Sequence, residues 1–175
     1  KIVDTDGNPV EQGQAGELIV KSPMLFSGYW GNDAENAKVF KDGWYHTGDV
    51  FVRTSEGTLE YISRTKYLIK SGGENIYPAE IERVLLSYPN IQEAVVVSVP
   101  DDKGGEGPMA YISTTEAVEK EDLLSFCLER GLAKYKLPKY VEVVELDAFP
   151  RNTTGKIIRE EVEQWGKRIG VDEKN

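Results

Sequence analysis

The sequence predicts an α+β protein, in which a small domain with a three-stranded sheet flanked by helices follows a β-rich stretch. Three observations carry that prediction. Ala94-Val95-Val96-Val97 is a continuous apolar run, the pattern of a strand covered on both faces. Residues 78–86 and 120–130 carry apolar side chains at helical spacing. Residues 1–62 have another grammar, short apolar segments separated by glycine turns.

Along the first part, Asp6-Gly7-Asn8-Pro9 has turn chemistry. Gly16–Lys21 reads as a strand and Met24–Trp30 as another, interrupted by Gly28. Asp33–Phe40 reads as a short helix with Asp33 as its N-cap. Lys41-Asp42-Gly43 turns the chain into Trp44–Asp49, and Ser55-Glu56-Gly57 joins two further strands.

In the second part, Pro78 opens a helix with Glu80 in its first turn, and Tyr88-Pro89 stops it. Strands follow at Ile91–Pro100 and Met109–Ser113. A helix over Lys120–Arg130 ends at Gly131. Val141–Leu146 is the third strand and Ile157–Ile169 the last helix. The expected organisation is a β-rich part at 1–62, a hinge and linker at 63–70, and an α+β domain at 71–175. The chain opens at Lys1 without a Met and with a strand rhythm under way, so a fragment of a longer protein is expected.

Composition excludes several classes. With 21 Lys and Arg against 30 Asp and Glu, the net charge of −9 disfavours a nucleic-acid partner, which needs a concentrated basic face. The single cysteine, Cys127, cannot form an internal disulfide, which suits a reducing cytoplasm. No apolar run reaches the length of a membrane span. The single histidine, His46, rules out a multi-histidine metal site, so no metal ligand set is expected in the chain.

The residues able to carry chemistry fall in three stretches. Asn152-Thr153-Thr154-Gly155-Lys156 reads as a mobile loop that offers a lysine just before a helix, in reach of a phosphate or carboxylate. The plainer account is a solvated loop lysine. Tyr45-His46-Thr47-Gly48-Asp49 ends in a carboxylate that could accept bonds from two sugar hydroxyls, or merely satisfy a turn. Arg64 could fork onto a phosphate or ribose, and Ser71-Gly72-Gly73 would let a backbone approach a ligand closely. A linker followed by a glycine hairpin explains those residues too, but not the clustering of cations. Gly105-Glu106-Gly107-Pro108-Met109-Ala110 matches a dinucleotide-binding glycine pattern only formally, because it leads into a strand and not a helix. Lys134-Tyr135-Lys136-Leu137-Pro138-Lys139 is a weak candidate for meeting a phosphate.

Together these stretches resemble the carboxyl-terminal part of the adenylate-forming acyl-CoA synthetases, from about Gly16 to Arg159 and in the family's order. The phrase Ser71-Gly72-Gly73-Glu74-Asn75-Ile76-Tyr77-Pro78 looks most like the fatty acyl- and aryl-CoA ligases. The resemblance implies a two-step ligase. A carboxylate attacks the α-phosphate of ATP to give an acyl-adenylate and pyrophosphate, and coenzyme A then displaces AMP.

By the same resemblance, Asp49 holds the ribose hydroxyls, Arg64 contacts the nucleotide and Lys66 is the hinge at which the small domain rotates. Lys156 is the adenylation lysine. Gly72, Gly73 and Glu74 lie on the loop that replaces it for thioester formation. Ser63 departs from the family's usual Gly or Asp. The acyl pocket, the phosphate loop and the Mg²⁺ ligands belong to a larger amino-terminal domain, which the resemblance makes the partner of this chain. Residues 1–62 would then expose apolar surface that favours a homodimer. The alternative is a non-catalytic nucleotide- or coenzyme A-binding module of the same fold.

Overall fold

A computed structural model describes residues 1–101 and 105–172, with side chains through Gly166. The last three residues of the predicted second domain, 173–175, lie outside the described residues. The chain divides into two compact units, Lys1–Lys66 and Tyr67–Asn175.

The first unit is built from β1 (Ile2–Val3), β2 (Ala15–Val20), α1 (Asp33–Val39), β3 (Phe40–Lys41), β4 (Trp44–Arg53) and β5 (Leu59–Arg64). Its sheet runs β1-β2-β4-β3, with β5 also paired to β4. Met24–Trp30 is not a strand. Ser22 opens a turn there, its hydroxyl accepting the Met24 N–H at 3.1 Å and its carbonyl the Leu25 N–H at 3.2 Å. Two of its rings join a cluster instead, where Phe26 meets Tyr29, Phe40 and Tyr45 at 5.2–5.3 Å between centroids, while Met24 and Trp30 are exposed. Asn32, and not Asp33, caps α1, since its Oδ1 accepts the Glu35 N–H at 3.2 Å.

The second unit carries a hairpin of β6 (Ile69–Ser71) and β7 (Glu74–Ile76), then α2 (Pro78–Leu85), β8 (Ile91–Pro100), β9 (Glu106–Thr114), α3 (Lys120–Glu129), β10 (Tyr140–Val143) and α4 (Arg159–Asp172). Its three-stranded sheet has the order β10-β9-β8, with β10 parallel and β8 antiparallel to β9.

Strand alternation sends the apolar runs to both faces. Ala94, Val96, Ala110 and Ile112 enter one core with Ile81 and Leu85 of α2 and Leu123 and Cys127 of α3. Val95, Val97, Met109 and Tyr111 enter another with Phe149 and Val162 of α4. The two-sided burial read from Ala94–Val97 is realised. The glycine pattern at Gly105–Ala110 does run into a strand, β9.

Several boundaries move, and β9 starts at Glu106 instead of Met109. The third strand ends at Val143, because Leu146–Ala148 coils into a single 3-10 turn. The last helix starts at Arg159 instead of Ile157, because Ile157 bridges back to Arg151.

Candidate functional site

Asp49 and Arg64 are brought together within the first unit by strand register. They are direct partners across β4 and β5, and Arg64 Nε stands 2.7 Å from Asp49 Oδ1. Asp49 owes its position to a bulge. Pairing with β2 jumps from Glu17↔Val50 to Ile19↔His46, leaving Thr47, Gly48 and Asp49 opposite one residue. Gly48 supplies the left-handed backbone this needs, with φ +70°.

Glu17 holds the bulge with both carboxylate oxygens. Oε1 accepts the Gly48 N–H at 2.9 Å, and Oε2 lies 2.8 Å from His46 Nδ1. The Thr47 hydroxyl donates to the Leu18 carbonyl at 2.7 Å and accepts the Asp49 N–H at 3.1 Å. The Thr65 hydroxyl donates to the Gly48 carbonyl at 3.2 Å. His46 is therefore engaged by a carboxylate, in line with a structural role. Glu17 went unnoticed in the sequence; its signal was an acidic residue in an otherwise apolar strand.

A cleft of about 620 Å³ lies along these residues, lined among others by Glu17, Tyr45, Asp49, Arg64 and Lys66. Its wall carries a phenol pair, Tyr29 and Tyr45, with hydroxyls 3.1 Å apart. That bond, followed by burial, raises the Tyr45 pKa. The cleft mixes carboxylates, cations and hydroxyls, groups suited to a polyhydroxylated anion.

The remaining candidates belong to the second unit and sit on two separate hairpins. Gly72 and Gly73 form the turn between β6 and β7, with φ +60° and +87°. Two successive positive φ values are what a two-residue hairpin turn demands. The turn is flanked by Ile69 and Ile76, both buried in the core of α2 and α3. Glu74, next after the turn, is exposed.

Lys156 stands on a different loop, and its neighbour Ile157 packs on the core of α4, on the other face of the sheet. This loop carries its own hydrogen bonds. Asn152 Oδ1 accepts the N–H groups of Thr154 at 3.0 Å and Lys156 at 2.9 Å. Arg151 donates to the Gly155 carbonyl at 2.9 Å and to Glu93 Oε1 at 2.7 Å. The Lys156 side chain is exposed.

The basic stretch at Lys134–Lys139 is largely committed inside the unit. Lys136 Nζ is 2.7 Å from Glu80 Oε2, and Lys139 pairs with Asp101. Cys127 is buried, and burial raises its thiol pKa, so it is not a nucleophile. Among the described residues no group of three His, Cys, Asp or Glu side chains could hold a metal ion. Nor is any helix among them long and apolar enough to cross a membrane.

Known proteins resemble this chain in sequence and fold. The AMP-binding enzyme C-terminal domain family matches residues 80–156. The 2-succinylbenzoate–CoA ligase of Bacillus licheniformis is 45% identical over 157 residues, covering 90% of this chain and 32% of the relative. The Bacillus cereus ligase of the same name is 43% identical over 93% of this chain and 33% of its own length. The chain thus spans about a third of the length of the curated relatives it matches.

Among solved structures, o-succinylbenzoate CoA synthetase from Bacillus subtilis, in complex with the acyl-adenylate intermediate OSB-AMP, superposes with a TM-score of 0.79 at 40% identity, over 93% of this chain and 33% of that one. An amide bond synthetase from Marinactinospora thermotolerans superposes with a TM-score of 0.81 at 31% identity, over 94% of this chain and 34% of that one. By its sequence, its fold and these relatives, the chain matches the carboxyl-terminal portion of adenylate-forming CoA ligases, with the AMP-binding enzyme C-terminal domain at residues 80–156.

Proposed function

We propose that this chain is the carboxyl-terminal part of an ATP-dependent carboxylic acid–CoA ligase, which forms an acyl-adenylate and then a thioester with coenzyme A. Asp49 accepts the ribose hydroxyls and Arg64 steadies the nucleotide. Lys66 is the hinge residue within a linker at 63–70, between a β-rich part at 1–62 and a mobile domain at 71–175. Lys156 neutralises the charge that develops between the attacking carboxylate and the α-phosphate. Gly72, Gly73 and Glu74 form the loop that takes its place for thioester formation.

The observation that supports this reading is the anchoring of the two loops. Ile157, beside Lys156, packs on one face of the three-stranded sheet, while Ile69 and Ile76, around Gly72-Gly73, pack on the other. One rigid domain can then present one loop or the other by rotating about a hinge.

The relatives' names favour an aromatic acid as substrate, since 2-succinylbenzoate is one, and lend no support to fatty acid metabolism. ATP and coenzyme A are the co-substrates. One relative's structure contains ATP and a magnesium ion. By the family resemblance, Mg²⁺ would be held by residues of the larger amino-terminal domain. The partner is a larger amino-terminal domain, and the relatives lend no support to a homodimer. A reducing cytoplasm suits the lone buried thiol of Cys127.

The test is exchange of labelled pyrophosphate into ATP by the full-length protein given its acid. Lys156→Ala should abolish exchange while sparing thioester formation from premade adenylate. Unchanged exchange by Lys156→Ala would refute the assignment.

A further inference from the structure

The loop around Lys156 is more elaborately held than an exposed turn requires. Both backbone polar groups of Lys156 are taken by one residue. Its N–H donates to Asn152 Oδ1 at 2.9 Å, and its carbonyl accepts the Asn152 N–H at 2.9 Å. The same Oδ1 accepts the Thr154 N–H at 3.0 Å and the Thr154 hydroxyl at 2.8 Å. Arg151 then straps the preceding residue. One arm of its guanidinium donates to the Gly155 carbonyl at 2.9 Å, and the other meets Glu93 Oε1 of β8 at 2.7 Å. Arg151 and Ile157 also bridge across the loop, and Ile158 N–H donates to the Pro150 carbonyl at 2.8 Å.

We propose that Arg151, Asn152 and Glu93 are positioning residues for Lys156, and that the strap from β8 sets the point from which the lysine reaches the reacting phosphate. The proposal rests on the adenylation role given to Lys156 above. A lysine is a point charge on a flexible four-carbon stem, so its placement depends on how firmly its backbone is held. Stabilising a transition state needs that charge within a fraction of an ångström of its working position, and small displacements cost about a hundredfold in rate. The sheet supplies the reference frame. Glu93 lies on β8, next to the buried run that begins at Ala94, and Ile157 is seated in the core behind it. The Arg151–Glu93 pair is about one-third exposed on each side, 33% and 31%, so as an ion pair alone it contributes little to stability. Its value on this reading is geometric: a planar guanidinium joins a strand to a turn in one fixed orientation.

The test uses the full-length protein and its two half-reactions. Arg151→Gln and Asn152→Ala should lower kcat for pyrophosphate exchange about ten- to a hundredfold, with KM for ATP unchanged. Thioester formation from premade adenylate should stay within about twofold of the parent, because Lys156 takes no part in it. Arg151→Lys keeps the Glu93 contact without the fork and should fall in between. In the 175-residue chain, hydrogen exchange at the Lys156 amide should quicken in Asn152→Ala.

Equal losses in both half-reactions would mark a merely structural role and overturn the proposal, as would full adenylation by both variants. Lys156→Ala is measured alongside. If it spares adenylation, the functional reading falls and the proposal with it. If it abolishes adenylation while Arg151→Gln and Asn152→Ala do not reduce it, the proposal alone fails.

Discussion

Asp49 and Arg64 face one another across the β4–β5 pair, with Arg64 Nε 2.7 Å from Asp49 Oδ1. Their side chains are 28% and 52% exposed, so solvent screens the attraction. Such a pair contributes at most about 1 kcal/mol to folding. Its use is to hold a carboxylate and a guanidinium together at the cleft. Arg64→Ala should therefore change unfolding free energy by less than about 1 kcal/mol in urea titration. The same variant should weaken AMP binding by the full-length protein roughly tenfold or more, the worth of a charged hydrogen bond. A large stability loss with unchanged AMP affinity would reverse that assignment.

Glu17 should prove a stability residue as well as a site residue. Glu17→Ala leaves the Gly48 N–H and the His46 ring without their acceptor in a setting where His46 and Glu17 are only 21% and 20% exposed. A loss of about 1–3 kcal/mol is expected from denaturant unfolding. Glu17→Gln retains one acceptor oxygen and should lose less. The Asp49 amide resonance should shift in both variants, because the bulge that offsets Asp49 is held by this carboxylate.

A second carboxylate guards the edge of the other sheet. β8 is an outer strand, and Val96 turns its N–H to Glu82 Oε1 at 2.7 Å and its carbonyl to Arg159. Arg159 Nη2 in turn donates to Glu82 Oε2 at 2.9 Å, with the two side chains 20% and 13% exposed. Glu82→Ala strands a largely buried guanidinium and a backbone N–H and should cost about 3 kcal/mol. Thermal and urea unfolding check this, and a loss under about 1 kcal/mol would contradict it.

Tyr111 supplies the pH dependence. Its ring is buried, its hydroxyl has no hydrogen-bond partner among the described residues, and burial pushes its pKa up to about 12. A folded pKa above the unfolded value of about 10 means the neutral phenol is favoured in the fold. That stability is complete below about pH 10 and is lost as pH rises from there toward about 12. Tyr111→Phe should remove this alkaline loss. At neutral pH it should be neutral or stabilising by up to about 1 kcal/mol, because no hydrogen bond is given up. Urea midpoints measured across the alkaline range test both statements.

Much of this was legible because the signals were local. Helical spacing after Pro78 and the apolar run at Ala94–Val97 each describe a segment that meets its own requirements. The Met24–Trp30 segment misled because Phe26 and Tyr29 pack edge-to-face in a ring cluster with Phe40 and Tyr45, which a strand pattern does not distinguish. Asn152 was hidden for a similar reason. Asn, Thr and Gly compose a mobile loop and a tightly bonded one equally well, and only the bonds tell them apart. Glu17 could not be found by proximity, since it is 31 residues from the Gly48 amide it binds.

By itself the sequence determined that β8 would be buried on both sides, because a period of two sends neighbouring apolar residues to opposite faces. It also determined which residues were chemically able to serve, Asp49, Arg64 and Lys156 among them. Tertiary structure alone decided how they are held. Register set Asp49 against Arg64, and a two-residue bulge tied to Glu17 turned the aspartate out of strict alternation. The packing of Ile157 on one face of the sheet, and of Ile69 and Ile76 on the other, gave the two loops separate foundations. Those are contacts between distant residues, and no local pattern encodes which distant surface a buried side chain will meet.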